Sequence, residues 1–122
     1  MTNRIQKHAK DKATVTMPAP WLNEDSEALF KVILSLQNLN EAQRFFRDLL
    51  TEREIREFAR RWKVARMLAK KVKYDDIEDA TSMSSTTIAR IHQWLGSGMG
   101  GYRLALNRLH HQTPTHSRRG LS

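Results

Sequence analysis

From about residue 24 to residue 110 the apolar positions recur with a period near 3.6, and no stretch alternates apolar and polar residues as a half-buried strand does. Leu29, Val32, Ile33 and Leu36 fall at spacings of three and four. They predict a helix that Asn23 caps and that runs to about Leu39. A second, shorter helix is predicted from Asn40 through Leu50. Its Phe45, Phe46, Leu49 and Leu50 are dense for so short an element, which points to burial or to packing on a partner. "TERE", Thr51 to Glu54, is a capping box: the Thr hydroxyl can accept from the N3 amide while the Glu returns to the cap amide. The helix it starts is predicted to reach about Lys71, with Ile55, Phe58, Trp62, Ala65 and Leu68 or Ala69 as its buried stripe.

Residues 74–95, "YDDIEDATSMSSTTIARIHQWL", read as two short helices joined by a tight turn. A helix-turn-helix needs apolar residues where its helices pack on each other and on the domain, with polar residues on the outer face of the second helix. Ile77 and Ala80 meet the first need on one helix, Met83 plugs the turn, and Ile88, Ile91 and Leu95 form the inner stripe of the other. Ser84 or Ser85 is placed to cap that second helix. "GSGMGG", residues 96–101, should end it, because glycine carries a large backbone entropy cost inside a helix. A last amphipathic helix is predicted from Tyr102 to about His110. The reading is all-α, about six helices, in one domain spanning 21–110. The polar, basic segments 1–20 and 111–122 have no apolar period and read as a flexible arm and tail.

Composition narrows the function classes. With 122 residues and 39% apolar content, the chain can bury only a modest core, so pairing with a second copy would help. There is no cysteine, which excludes disulfides, thiolate metal sites and Cys nucleophiles and agrees with a reducing cytoplasm. No apolar run approaches the roughly 20 residues of a membrane span, and the N-terminus lacks the apolar core of a signal peptide. A cytoplasmic protein without a membrane partner is expected.

The net charge of +8 is unevenly distributed. Lys and Arg against Asp and Glu give +6 over residues 51–73 and −3 over 74–95, with +3 in 1–20 and +2 in 110–122. Positive charge in the arms and in the segment before the helix-turn-helix is the footprint of a polyanion partner. Part of it also complements the dipole at the C-terminal end of the long helix. Double-stranded DNA is therefore the expected partner. Ser84, Ser85, Thr86, Thr87, Ala89 and Arg90 are the candidate reading residues. Short hydroxyls permit close approach and bond phosphates or base edges, Ala and the Thr methyl suit a thymine methyl, and Arg90 suits phosphate or guanine. Lys70, Lys71 and Lys73 are the candidate phosphate contacts.

Other chemistry is thinly supported. The glycine run has neither the preceding strand nor the Lys-Ser/Thr signature of a phosphate-cradling loop. His110, His111 and His116 match no helix-face pair of metal ligands, so no metal is expected. No Ser-His-Asp, paired-carboxylate or metal constellation suggests an enzyme, and Asp75 with Asp76 is the acidic start of a helix.

Taken together, "LLTEREIREFARRWKVARML", "YDDIEDATSMSSTTIAR" and "GMGGYRLALNRL" resemble the Trp repressor superfamily, and within it the Trp-repressor-like branch of the YerC/YecD type. The resemblance covers about residues 24–110. It implies an all-helical, intertwined homodimer of about six helices per chain, with N-terminal helices crossing between subunits and two helix-turn-helix units projecting towards operator DNA. It also places Thr51, Arg61 and Arg90 at positions that hold free tryptophan in the Trp repressor proper. Where that repressor has a glycine and a serine beside the ligand, this chain has Ile91 and Trp94, both bulky, which argues against tryptophan as effector. Asp76 and Glu78 fall at or beside positions that are basic in the repressor, where carboxylates would repel phosphates. The expected function is a sequence-specific transcriptional regulator, a repressor by analogy. The alternative is a protein-interaction module whose acidic helix binds a partner from the transcription machinery.

Overall fold

A computed structural model describes residues 20–110, whose regular elements are all helices, with no strand among the described residues. The arm and tail therefore lie outside the described residues, apart from Pro20, as do His111 and His116. Two compact units divide between Asp48 and Leu49.

The first unit holds α1 (Glu24–Ser35) and nearly all of α2 (Leu39–Leu49). Asn23 caps α1 as expected: its Oδ1 accepts from the Ser26 amide at 3.0 Å, and Ser26 Oγ accepts from the Asn23 amide at 2.8 Å. The helix stops at Ser35 rather than near Leu39, because Leu36 turns to extended backbone at ψ 133°. The cap of α2 is Asn38, not Asn40. Asn38 Oδ1 accepts from the Glu41 amide at 2.9 Å, and Glu41 Oε1 accepts from the Gln37 amide at 2.9 Å. Phe45 and Phe46 meet edge to face with centroids 5.4 Å apart. Neither helix contains a buried residue, and Leu34 is 84% exposed.

The second unit contains the core. Its α3 (Glu52–Ala69) begins at the predicted capping box, with the Glu54 amide donating to Thr51 Oγ1 at 3.1 Å and the Thr51 amide donating to Glu54 Oε1 at 2.9 Å. It ends in a Schellman turn. The Val72 amide donates to Met67 O and the Lys71 amide to Leu68 O, at 3.1 and 2.9 Å, with Lys71 in the left-handed region at φ 63°. This closure reverses the chain and sends it directly into α4 (Tyr74–Thr81) and then α5 (Ser85–Ser97).

Helices α3, α4 and α5 pack around Val64, Ala65, Leu68, Ile77, Met83, Ile88 and Ile91. Each buried Ile or Val contributes about 1.5–3 kcal/mol of burial free energy, so this small cluster is what fixes the helix-turn-helix on α3. The core draws on the C-terminal half of α3 only. Phe58, predicted to be buried, is 47% exposed because it lies a turn and more before the part of α3 that α4 and α5 cover. Val64 belongs to the core instead. Residues 101–110 form the sixth helix, α6, joined to α3 by Tyr102 stacking on Trp62 at 6.3 Å and 19°.

The glycine run ends α5 later than predicted, since Gly96 and Ser97 are still helical. The stop is Gly98, whose amide caps Trp94 O at 2.9 Å. A Cβ there would lie 2.6 Å from that carbonyl oxygen, so only glycine allows this approach. Gly100, at φ 84°, then turns the chain into α6.

Candidate nucleic-acid interface

The helix-turn-helix is built outward from its buried side. Ile77 and Thr81, four residues apart, face the core from α4, whereas Ala80 is exposed. A residue four positions on lies more nearly above the first than one three positions on, and the hydroxyl explains why a polar residue fills the place. Thr81 Oγ1 donates to Ile77 O at 2.7 Å and accepts from the Met83 amide at 3.2 Å. One side chain therefore satisfies the amide of Met83, two residues beyond it, and holds the turn against its base. Composition gave no sign of this role, because a Thr in an acidic helix reads as a surface residue. The S/T-to-i+2 amide pattern at a helix end was the available signal.

Ser82 follows at φ 62°, the left-handed residue that lets the chain turn in three residues, and Met83 plugs the turn at 8% exposure. Ser84 is the cap of α5. Its Oγ accepts from the Thr87 amide at 3.2 Å and lies 3.2 Å from Thr87 Oγ1, to which it donates. Ser84 and half-buried Thr87 are thus occupied in shaping the N-terminus of α5. Ser85, Thr86, Ala89 and Arg90 remain exposed on the outer face, opposite buried Ile88 and Ile91. The first turn of α5 holds no acidic residue, and Arg90 has no carboxylate within ion-pair distance among the described residues. An electropositive helix end, short hydroxyls and a free guanidinium form a surface suited to phosphate oxygens and base edges.

Lys70, Lys71 and Lys73 are exposed around the α3–α4 turn: Lys70 is the C-cap of α3 and Lys73 the N-cap of α4. Asp75 and Asp76 occupy the first turn of α4, favourably placed for its dipole, and both are exposed, as is Asp79. Tyr74 ties α4 to α5 through a 2.8 Å hydrogen bond between its hydroxyl and His92 Nδ1. Among the described residues no group of His, Asp or Glu is arranged to hold a metal ion, and no helix is long and apolar enough to cross a membrane.

Of the three residues matched to a tryptophan site, Thr51 and Arg61 are engaged along α3. Thr51 Oγ1 serves the capping box, and Arg61 lies 3.8 Å from Glu57 and 5.5 Å over the Phe58 ring. No hydrogen bond or ion pair among the described residues links either to Arg90. Ile91 faces the core at 1% exposure, while Trp94 stands 46% exposed one turn beyond Arg90.

With this architecture in place, comparison with known proteins is decisive: the model of the family described as Trp repressor protein matches residues 24–110. The chain belongs to the Trp repressor family. Within it, the chain is 43% identical over 86 residues to protein YerC of Bacillus subtilis, described as uncharacterized, covering 70% of this chain and 83% of that one. A solved TrpR like protein from Eubacterium eligens superposes with a TM-score of 0.70 at 39% identity, covering 74% of this chain and 93% of the other. A candidate Trp repressor from Staphylococcus aureus gives the same TM-score at 33% identity, over 75% and 91% of the two chains. The Trp-repressor-like, all-helical fold and the helix-turn-helix read from the sequence are borne out, and the family is one of regulators rather than enzymes.

Proposed function

We propose that the protein is a sequence-specific DNA-binding transcriptional regulator that acts as a homodimer and reads the major groove with α5. The observation that carries this reading is the outer face of α5. Ser85, Thr86, Ala89 and Arg90 form an acid-free, exposed row on a helix whose other face is locked into the core. Lys70, Lys71 and Lys73 supply the nearby positive charge that acidic α4 lacks. The dimer is supported by the first unit, in which Phe30, Leu34 and Leu39 are exposed and neither described helix has a buried residue. A helix with such a face needs a partner surface, and an intertwined second copy supplies one.

The test is selection of bound fragments from the host genome, followed by fluorescence anisotropy on the selected duplex over a salt series. The expected site is an inverted repeat with half-sites about one helical turn apart, and affinity should fall steeply with salt. Thr86→Ala or Arg90→Ala should cost about 1–3 kcal/mol at particular base pairs, whereas Lys70→Ala should weaken all sequences alike. Absence of binding to any duplex at low salt would overturn the proposal. Folded monomers in sedimentation at micromolar concentration would overturn the dimer.

A second reading draws on α4, where Asp75, Asp76 and Asp79 present an exposed acidic face beside the reading helix. In that reading the face docks a basic protein of the transcription machinery. Charge reversal of these three residues separates the two readings, since it should strengthen DNA binding but abolish capture of a protein partner.

A further inference from the structure

Away from the outer face of α5, the C-terminal turn of α3, the second half of α5 and α6 line an open cavity of about 610 Å³. That volume lies within the usual range for small-molecule sites, roughly 300–1,000 Å³. Its apolar lining comes from Leu68, Leu95 and Leu106, one from each helix. The polar lining is one-sided in charge: it includes Lys71 and Arg103 and no carboxylate. Neither cation has an ion-pair partner among the described residues. His92 joins them, its Nδ1 paired with the Tyr74 hydroxyl at 2.8 Å.

Two features suggest that this space is kept open. Lys71 occupies the left-handed position of the Schellman turn at φ 63°, where glycine is the unstrained choice. A lysine there accepts backbone strain and gains a cationic side chain at the cavity wall. Gly96 lies inside α5, lines the cavity and has nothing within 4 Å of where its Cβ would be. No packing contact or turn requires glycine there, and alanine would be better for the helix.

We propose that this cavity binds a small organic anion with an apolar body, its charged group between Lys71 and Arg103 and its apolar part on Leu68, Leu95 and Leu106. The apolar floor favours a free small molecule over a DNA phosphodiester, whose neighbours are hydrated sugars. An occupant would bridge α5 to α3 and α6, the elements that hold it. The site shares Lys71 with the candidate phosphate contacts, but its apolar lining and Arg103 do not enter the DNA-reading proposal.

The test uses the full chain without DNA. Titration with the fluorescent anion 8-anilinonaphthalene-1-sulfonate should give saturable binding at one site per chain. The uncharged analogue N-phenyl-1-naphthylamine should bind at least about tenfold more weakly. Gly96→Phe, which places a ring in the cavity at a position free of neighbours, should abolish this site with the helical circular dichroism intact. The double substitution Lys71→Gln, Arg103→Gln should weaken the sulfonate by about tenfold or more and leave the uncharged analogue unchanged, which keeps the proposal testable if Gly96→Phe misfolds. Equal binding of the two probes, or sulfonate binding unaltered by the double substitution, would overturn it. Displacement of the sulfonate by an equimolar mixed-sequence DNA duplex would reassign the cavity to backbone phosphates and overturn it equally.

Discussion

Replacing Thr81 with valine isolates the one polar side chain buried among the described residues. The two residues have nearly the same shape, so Thr81→Val creates no cavity and loses no apolar burial; it removes only the hydroxyl. That hydroxyl donates to Ile77 O and accepts from the Met83 amide at 3.2 Å, and Thr81 is 3% exposed. The two bonds are not equal in consequence. Ile77 O lies within α4, where the backbone of the next turn bonds it, so it keeps a partner. The Met83 amide sits in the turn with its residue 8% exposed and loses its acceptor. An orphaned buried donor costs about 1–3 kcal/mol, a large share of the stability of a small domain. Thr81→Ser keeps the hydroxyl and removes one buried methyl, for about 1 kcal/mol. Urea denaturation followed by circular dichroism, at fixed protein concentration because a dimer's stability depends on it, should rank wild type above Ser and Ser at or above Val. If Val matches wild type within about 0.5 kcal/mol, the hydroxyl does not hold the turn and the account of α4 given above is wrong.

Gly98→Ala should destabilise by about 1–3 kcal/mol and shorten α5, because the new Cβ would meet Trp94 O at 2.6 Å; unchanged thermal unfolding would contradict this close approach. Ser82→Gly relieves a left-handed residue and should stabilise by up to about 1 kcal/mol, so a clear drop in melting temperature would show that the serine has a further role. Thr51→Ala removes the capping-box acceptor and should cost about 0.5–2 kcal/mol, read by the same urea titration. Free tryptophan at millimolar concentration should leave both melting temperature and DNA affinity unchanged, since Thr51 and Arg61 are engaged within α3 and Ile91 is in the core; stabilisation by tryptophan would refute this.

What the sequence determined by itself is what depends on near neighbours along the chain. The Asn23 and Thr51 caps were legible because a cap joins residues three apart, and the all-helical class because the 3.6-residue period repeats from element to element. The inner stripe Ile77, Ile88 and Ile91 and the outer row Ser85, Thr86, Ala89 and Arg90 were legible for the same reason, each being one side of a short helix. What required the tertiary structure depends on where another helix ends. Periodicity gives Phe58 and Val64 equal claims to a buried face, but α4 and α5 cover only the latter part of α3, so Val64 is in the core and Phe58 is not. Likewise Ala80 has the more apolar side chain, yet burial goes to Thr81 because the returning turn brings an amide within reach of its hydroxyl. The cavity beside Gly96 is a property of three helices at once, and no local pattern encodes the space between them.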